Sequence, residues 1–291
     1  IDTVMSFYKV GEKMKILLSG ARGQLGKELV RRLKGTDFFA TDAAEMDITD
    51  QPATLKIMNT YRPDAVIHCA AYTNVDGAEE NGETAYKINA IGAQNVAAGC
   101  LQCGAKLVYV STDYVFDGTL GRAYSEFDQP NPQSIYGKSK LAGEMLTRHI
   151  LNRLFIVRTS WLYGDGNNFV RTMLKLGKEK DTLRVVNDQY GCPTSTQDLA
   201  EAILALIRTE HYGIYHAANT GVTTWYDFAK KIFELVGLNK VKVLPQTTEQ
   251  LGRPAPRPLY SPLDNMLLRL TIGTVMRPWE EALKEYLAQQ T

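Results

Sequence analysis

The sequence predicts an α/β fold, a doubly wound parallel sheet with a smaller C-terminal lobe set against it. Three features carry that expectation. Short apolar runs alternate with helix-patterned stretches through the first half of the chain, which argues for parallel strands covered by helices on both faces. Those runs are nearly continuous, as strands buried on both sides tend to be. A glycine-rich turn follows the first run and opens the first helix.

In chain order, KILLSG (15–20) reads as a buried strand and Gln24 to Leu33 as a helix. DFFAT (37–41) is a second strand. Asp50, with Pro52 in the first turn, opens another helix, since proline suits a position whose N–H has no helical partner. AVIHCAA (65–71) is a third strand, residues 83–103 one long helix, and KLVYVST (106–112) a fourth strand. A helix begins near Tyr136 and leads to the strand LFIVRTS (154–160). Beyond that the pattern loosens. Helices are expected near 196–209 and 224–237, and a strand at GIYHAA (213–218). RPAPRPLYSP (253–262) holds Pro254, Pro256, Pro258 and Pro262 and reads as a rigid loop. The expected organisation is an extension over 1–13, a dinucleotide-binding domain over 14–160, and a mainly substrate-binding lobe over 161–291. Residues 196–220 or so return to the main domain.

Composition removes several function classes. With 291 residues the chain can bury roughly three-quarters of its unfolded surface. Thirty-three basic residues face 32 acidic ones, so no charge excess points to nucleic acid. No apolar run is long enough to span a membrane. The segment IDTVMSFYKVGEK (1–13) lacks the layout of a secretory leader. Four cysteines make no disulfide framework, and Cys100 and Cys103 form a lone CxxC without a second metal-binding pair. They read as structural thiols, and the expected setting is reducing and cytoplasmic.

The turn after the first strand is Gly20-Ala-Arg-Gly23-Gln24-Leu25-Gly26, a GxxGxxG. Glycines there allow a tight turn, close approach to a pyrophosphate, and close packing of helix on strand. A phosphate then meets the free N–H groups and the dipole at the helix start. Asp42, at the end of the second strand, is placed to accept from a ribose 2′-hydroxyl and to repel a 2′-phosphate. That favours NADH slightly over NADPH, although Arg22 could tolerate the extra phosphate. Asp47 and Ile48 either flank an adenine or serve as cap and core.

Tyr136-Gly-Lys-Ser-Lys140 is a YxxxK. On a helix the two side chains lie one turn apart on one face. A phenol ordinarily ionises near 10, and a neighbouring ammonium is expected to pull that down. The pair could then deliver a proton to a carbonyl oxygen as hydride reaches its carbon. Ser111, Thr112 and Asp113 end the fourth strand, where ligands of open parallel sheets bind. A hydroxyl there can donate to a substrate carbonyl.

Gly20–Gly26, STDYVFDG (111–118) and YGKSK (136–140) resemble the extended short-chain dehydrogenase/reductases, with their Rossmann-type domain. More narrowly, PDAVIHCAAYTNVDGAE (63–79), RTSWLYG (158–164), VVNDQYGCPT (185–194) and GIYHAANTGVTTWYDFA (213–229) resemble the dTDP-4-dehydrorhamnose reductase family from about Met14 onward. The resemblance implies reduction of dTDP-4-dehydro-6-deoxy-L-mannose at C4 to dTDP-L-rhamnose, with a nucleotide sugar as the partner molecule and NADH or NADPH as cofactor. It implies Thr112, Tyr136 and Lys140 as the catalytic set. Gly23, Gln24, Leu25, Asp42, Asp47, Ile48, Ala71, Tyr72 and Thr73 match cofactor-contacting positions, Asp113 and Trp161 substrate-contacting ones. Asn89 matches a position supporting the active-site backbone. Arg253 and Arg257, in the proline-rich loop, suit diphosphate oxygens. Glu28, Asp198 and Glu280 fall near acids associated with a divalent ion in some members, but no metal is assigned. A homodimer is compatible with the sequence.

Two alternatives stay open. Sugar-nucleotide dehydratases of this fold carry Glu straight after the Thr-Asp pair, and here that place is Tyr114, which argues for simple reduction. A 4-epimerase or another 4-ketosugar reductase remains. So does a nucleotide-binding regulatory subunit, like that of methionine adenosyltransferase, although such a chain need not retain Thr112, Tyr136 and Lys140.

Overall fold

The computed structural model describes residues 14–273 and 276–289; the extension expected over 1–13 lies outside them. Its first half runs β1 (Ile16–Ser19), α1 (Gln24–Leu33), β2 (Phe38–Thr41), α2 (Gln51–Tyr61), β3 (Ala65–His68), α3 (Val75–Glu80), α4 (Gly82–Tyr86), α5 (Ala93–Cys103), β4 (Lys106–Thr112), α6 (Ile135–Ile150) and β5 (Leu154–Thr159). Then follow β6 (Leu162–Tyr163), α7 (Phe169–Glu179), β7 (Thr182–Val186), β8 (Tyr190–Gly191), β9 (Thr194–Ser195), α8 (Thr196–Leu206) and β10 (Gly213–His216). The chain closes with β11 (Thr223–Thr224), α9 (Trp225–Leu235), β12 (Lys242–Gln246), α10 (Thr248–Leu251), α11 (Met266–Ile272) and α12 (Trp279–Ala288).

Six parallel strands form the main sheet in the order β10-β5-β4-β3-β1-β2. The chain steps from β1 outward to β2, then back across β1 to β3, so the winding reverses at β1 and β3. A crevice opens beyond the strand ends at such a reversal. Strand alternation sends Leu18, Ile67 and Val108 to one core with Leu25, Leu29, Leu199 and Ile203. Leu17, Val66 and Leu107 go to the other with Met58, Val96 and Ala97. Burial on both faces explains the unbroken apolar runs.

Local chemistry sets the helix ends. The Asp50 carboxylate accepts from Ala53 N at 3.0 Å to start α2, and Ser134 Oγ accepts from Gly137 N at 3.1 Å to start α6. Three expectations change. The single helix of 83–103 is interrupted by a π-helical segment, Lys87–Gly92, which aims Asn89 inward. Residues 75–80 form a short helix capped by Asn74, a stretch too brief and glycine-containing to show a clear helical period. The strand expected to reach residue 71 ends at His68.

Beyond β5 the chain serves two bodies. α8 and β10 return to the sheet, where Leu199, Ile203, Leu206 and Tyr215 join its core. Leu268 of α11 and Met276 join that core as well, while most of the rest builds a lobe around Tyr163, Phe228, Ile232, Trp279 and Leu283, with β7 and β12 paired in parallel. No helix among the described residues is long and apolar enough to cross a membrane.

Candidate active site

A cavity of about 1200 Å³ lies along the carboxyl ends of the sheet strands. Gly20, Gly23, Gln24, Leu25, Gly26, Asp42, Asp47, Ile48, Ala71 and Thr73 line it, together with Thr112, Asp113, Tyr136, Lys140 and Trp161. The glycine turn is sterically obligatory. Gly20 has φ +75°, and a Cβ there would lie 2.5 Å from Ala70 N. A Cβ on Gly26 would lie 2.1 Å from Gly20 O. Gly23 caps α1 with no side-chain hydrogen bond, and the first turn carries no acid. That leaves an uncapped, positively polarised helix start facing the cavity, fit for a pyrophosphate.

The rim beside it is polar. Asp42 accepts from the N–H groups of Arg22 and Ala43, each at 2.9 Å. The Arg22 guanidinium pairs with Glu45 at 2.9 Å, both side chains well exposed, so the pair is easily exchanged. Asp47 folds onto Thr49, whose N–H and hydroxyl donate to it and hold its carboxyl below the usual range. Ile48 is buried, its carbonyl accepting from Asn95 at 2.8 Å. Tyr72 lies outside the lining. Its N–H donates to Asn89 Oδ1 at 2.7 Å and its carbonyl accepts from Asn89 Nδ2 at 3.1 Å. Asn89 therefore splints the loop after β3, and its Nδ2 also donates to Ser139 at 3.0 Å on α6.

Helix α6 brings Tyr136 and Lys140 to the cavity by packing unusually close. A Cβ on Gly137 would sit 2.2 Å from Tyr114 O, and one on Gly143 would sit 2.3 Å from both Asn89 O and the Tyr109 hydroxyl. Lys140 is 3% exposed. Its Nζ donates to Val110 O at 2.8 Å and stands 4.1 Å over the Tyr109 ring. Burial pulls its pKa down to about 7, against an opposing pull from Glu144.

Tyr136 corrects one expectation. Burial pushes its phenol up to about 12, Thr112 draws it down and Asp113 adds to the rise. The phenol is held protonated, because desolvating a phenolate outweighs its neighbours. Thr112 donates to Asp113 at 3.1 Å, and Asp113 also accepts from Ser261 at 2.6 Å. Burial raises Asp113 to about 6.

On the lobe side, Trp161 stacks on Trp225, the rings 3.6 Å apart and within 8° of parallel. Trp161 has φ +47°, a conformation that costs a bulky residue roughly 1–3 kcal/mol and persists where its surroundings enforce it. Trp225 donates to Gln189 at 3.1 Å and lines the cavity. It lies within GIYHAANTGVTTWYDFA (213–229), where no local pattern marks it as part of a site. Arg253 and Arg257 lie outside the lining and turn to Asp76. Arg257 grips both carboxylate oxygens at 3.0 Å, and Arg253 reaches one at 3.4 Å. Glu28 is engaged by Arg31 and Arg32, and Asp198 by Arg277 and Asn219. With Glu280 they form no metal-holding cluster among the described residues.

The fold and this cavity define a class: a reductase-type protein with a dinucleotide turn at a sheet reversal and a Thr–Tyr–Lys set beside it. More narrowly, the chain belongs to the dTDP-4-dehydrorhamnose reductase family, its residues 14–291 matching the RmlD substrate binding domain. A crystal structure of a dTDP-4-dehydrorhamnose reductase from Clostridium acetobutylicum is 52% identical, covers 95% of this chain and 99% of its own, and superposes with a TM-score of 0.94. The dTDP-4-dehydrorhamnose reductase from Bacillus anthracis, solved in complex with NADP, is 48% identical over 96% of this chain and 100% of its own, with a TM-score of 0.93. The spore coat polysaccharide biosynthesis protein SpsK of Bacillus subtilis is 46% identical over 95% of this chain and 98% of its own length.

Proposed function

We propose that the chain reduces the C4 ketone of dTDP-4-dehydro-6-deoxy-L-mannose to give dTDP-L-rhamnose. One observation carries the reading. Thr112, Tyr136 and Lys140 line the same cavity as the Gly20–Gly26 turn, so a proton donor and a pyrophosphate cradle serve one space. NAD(P)H, when bound, supplies the hydride. Gly20 and Gly26 leave the room and the uncapped α1 start supplies the N–H groups that its pyrophosphate needs.

The residues then divide the work. The Thr112 hydroxyl and the Tyr136 phenol converge on the substrate carbonyl oxygen and share its developing charge. Tyr136 gives its proton to that oxygen. A phenol held protonated up to about 12 is loaded as a donor at neutral pH. Lys140 as an ammonium stabilises the phenolate left behind and hydrogen-bonds the nicotinamide ribose. Asp113 and Trp161 hold the sugar. Asp42 favours NADH at the rim, and the exchangeable Arg22 still admits NADPH.

The test is oxidation of NADH and of NADPH, each with dTDP-4-dehydrorhamnose and with other dTDP-4-ketosugars. Rapid oxidation with the first sugar supports the reading. Cofactor binding without turnover on any of these sugars refutes it in favour of a non-catalytic nucleotide-binding subunit.

A further inference from the structure

Helix α6 carries a third residue on the face of Tyr136 and Lys140. Glu144 lies one further turn along, at the same spacing of four, and is 2% exposed. Its Oε1 accepts from Ser111 Oγ at 2.5 Å and from Arg158 Nε at 2.9 Å, and its Oε2 accepts from Arg158 Nη2 at 2.6 Å. Ser111 immediately precedes Thr112 on β4, and Arg158 pairs with Ser111 in register from β5. A buried ion pair therefore ties α6 to the ends of two strands directly behind the proton-donor set. Breaking such a pair is costly, while replacing it whole with apolar groups often is not. Stability alone therefore gives a weak reason for it.

We propose that Glu144 is a positioning residue whose charge, fixed by Arg158 and Ser111, keeps Lys140 an ammonium in a site that would otherwise expel the proton. The inference rests on the reductase reading. The Lys140 ammonium donates to a neutral carbonyl, Val110 O. The groups facing it from the packed elements do not supply a compensating anion near neutrality. His68 on β3 is held neutral, its pKa pulled down to about 3 by burial. Burial keeps the Cys69 thiol protonated, up to about 12, and the Tyr109 phenol protonated as well. Tyr136 is likewise protonated, and Asp113 acts on Tyr136. Arg158 carries the same sign as Lys140 and is itself ion-paired to Glu144. That leaves the Glu144 carboxylate to offset burial, and it opposes the downward pull on Lys140.

The experiment is the pH profile of kcat with dTDP-4-dehydrorhamnose, together with the pH dependence of NADPH affinity by fluorescence. Glu144→Gln should move the alkaline limb toward acid by about one pH unit, so that kcat on that limb drops roughly tenfold. The affinity profile should move with it. Glu144→Asp keeps the charge and should keep the limb in place even if kcat falls. Glu144→Gln/Arg158→Met removes both members of the buried ion pair, so neither Glu144 nor Arg158 is left unpaired and the variant serves as a folded one if the single change does not. Its limb should also move toward acid, though less. A fall in kcat with the limb unmoved in both neutral variants, or an equal shift in the Asp variant, overturns the inference. If the unaltered enzyme turns over no ketosugar, the reductase reading fails instead, and the affinity profiles still decide the role of Glu144.

Discussion

The two sides of the cavity are assembled in opposite ways. On the proposed cofactor side the working groups come from short, contiguous stretches. One turn supplies Gly20, Gly23 and Gly26, and one helical turn supplies Tyr136 and Lys140. On the proposed substrate side the principal contacts join distant parts of the chain. Asp113 meets Ser261 across 148 positions, and Asp76 meets Arg257 across 181. Trp161, at the end of the sheet domain, rests on Trp225 of the lobe. Local geometry thus fixes the chemistry, while the packing of the lobe fixes what is presented to it. The first touches the lobe at few points, such as Asn168 on Gln24 at 3.2 Å, and the second depends on how the lobe packs.

Four perturbations separate the two sides. The largest effect is expected from Tyr136→Phe, which removes the proposed proton donor while leaving the turn and the lobe intact. Turnover should fall by about 10²–10⁴-fold with the cofactor dissociation constant nearly unchanged. Near-normal turnover would detach Tyr136 from the mechanism. Next is pH. Lys140 loses its proton above about 7, so kcat should fall roughly tenfold per pH unit beyond that point. Stability should move the other way. The folded state binds fewer protons than the unfolded chain between about 7 and the ordinary lysine value of 10.5, so unfolding free energy rises with pH across that window. Denaturant titrations of wild type and Lys140→Met at several pH values check this, since the variant should lose that part of the rise.

Arg257→Ala acts on the other side. It breaks the half-buried grip on Asp76 that ties the proline-rich loop to α3. KM for the nucleotide sugar should rise about tenfold, as expected for a loss near 1.4 kcal/mol, with kcat little changed. An equal fall in kcat would mean that the lobe also sets the chemistry. The smallest effect belongs to Asp42→Ala at the rim. The NADPH-to-NADH ratio of kcat/KM should rise several-fold, and a ratio that stays put would show that Asp42 does not read the ribose.

The contrast also explains which features were legible beforehand. GxxGxxG and YxxxK could be read because turn chemistry and helical spacing act over a few residues. Asp50 announced its helix because a cap needs one side chain in one place, whereas the Ser134 cap of α6 emerged only from the structure. The inward turn of Asn89 could not be read, because an extra residue in a helical turn leaves no mark in the hydrophobic pattern. Arg253 and Arg257 looked like diphosphate ligands because their composition suits phosphate, yet a carboxylate from α3 holds them. The expected drop in the Tyr136 pKa failed for a related reason. Proximity to Lys140 follows from spacing, but the cost of ionising a buried phenol depends on everything packed around it.

The amino-acid order by itself determined the winding of the sheet, the phosphate turn and the pairing of phenol with amine, since each follows from backbone geometry repeated over short distances. Only the tertiary structure decided that Glu144 and Arg158 sit behind Lys140, that Trp225 backs Trp161, and that the loop arginines face Asp76. Desolvation and long-range ion pairing depend on three-dimensional neighbours, and no spacing along the chain encodes them.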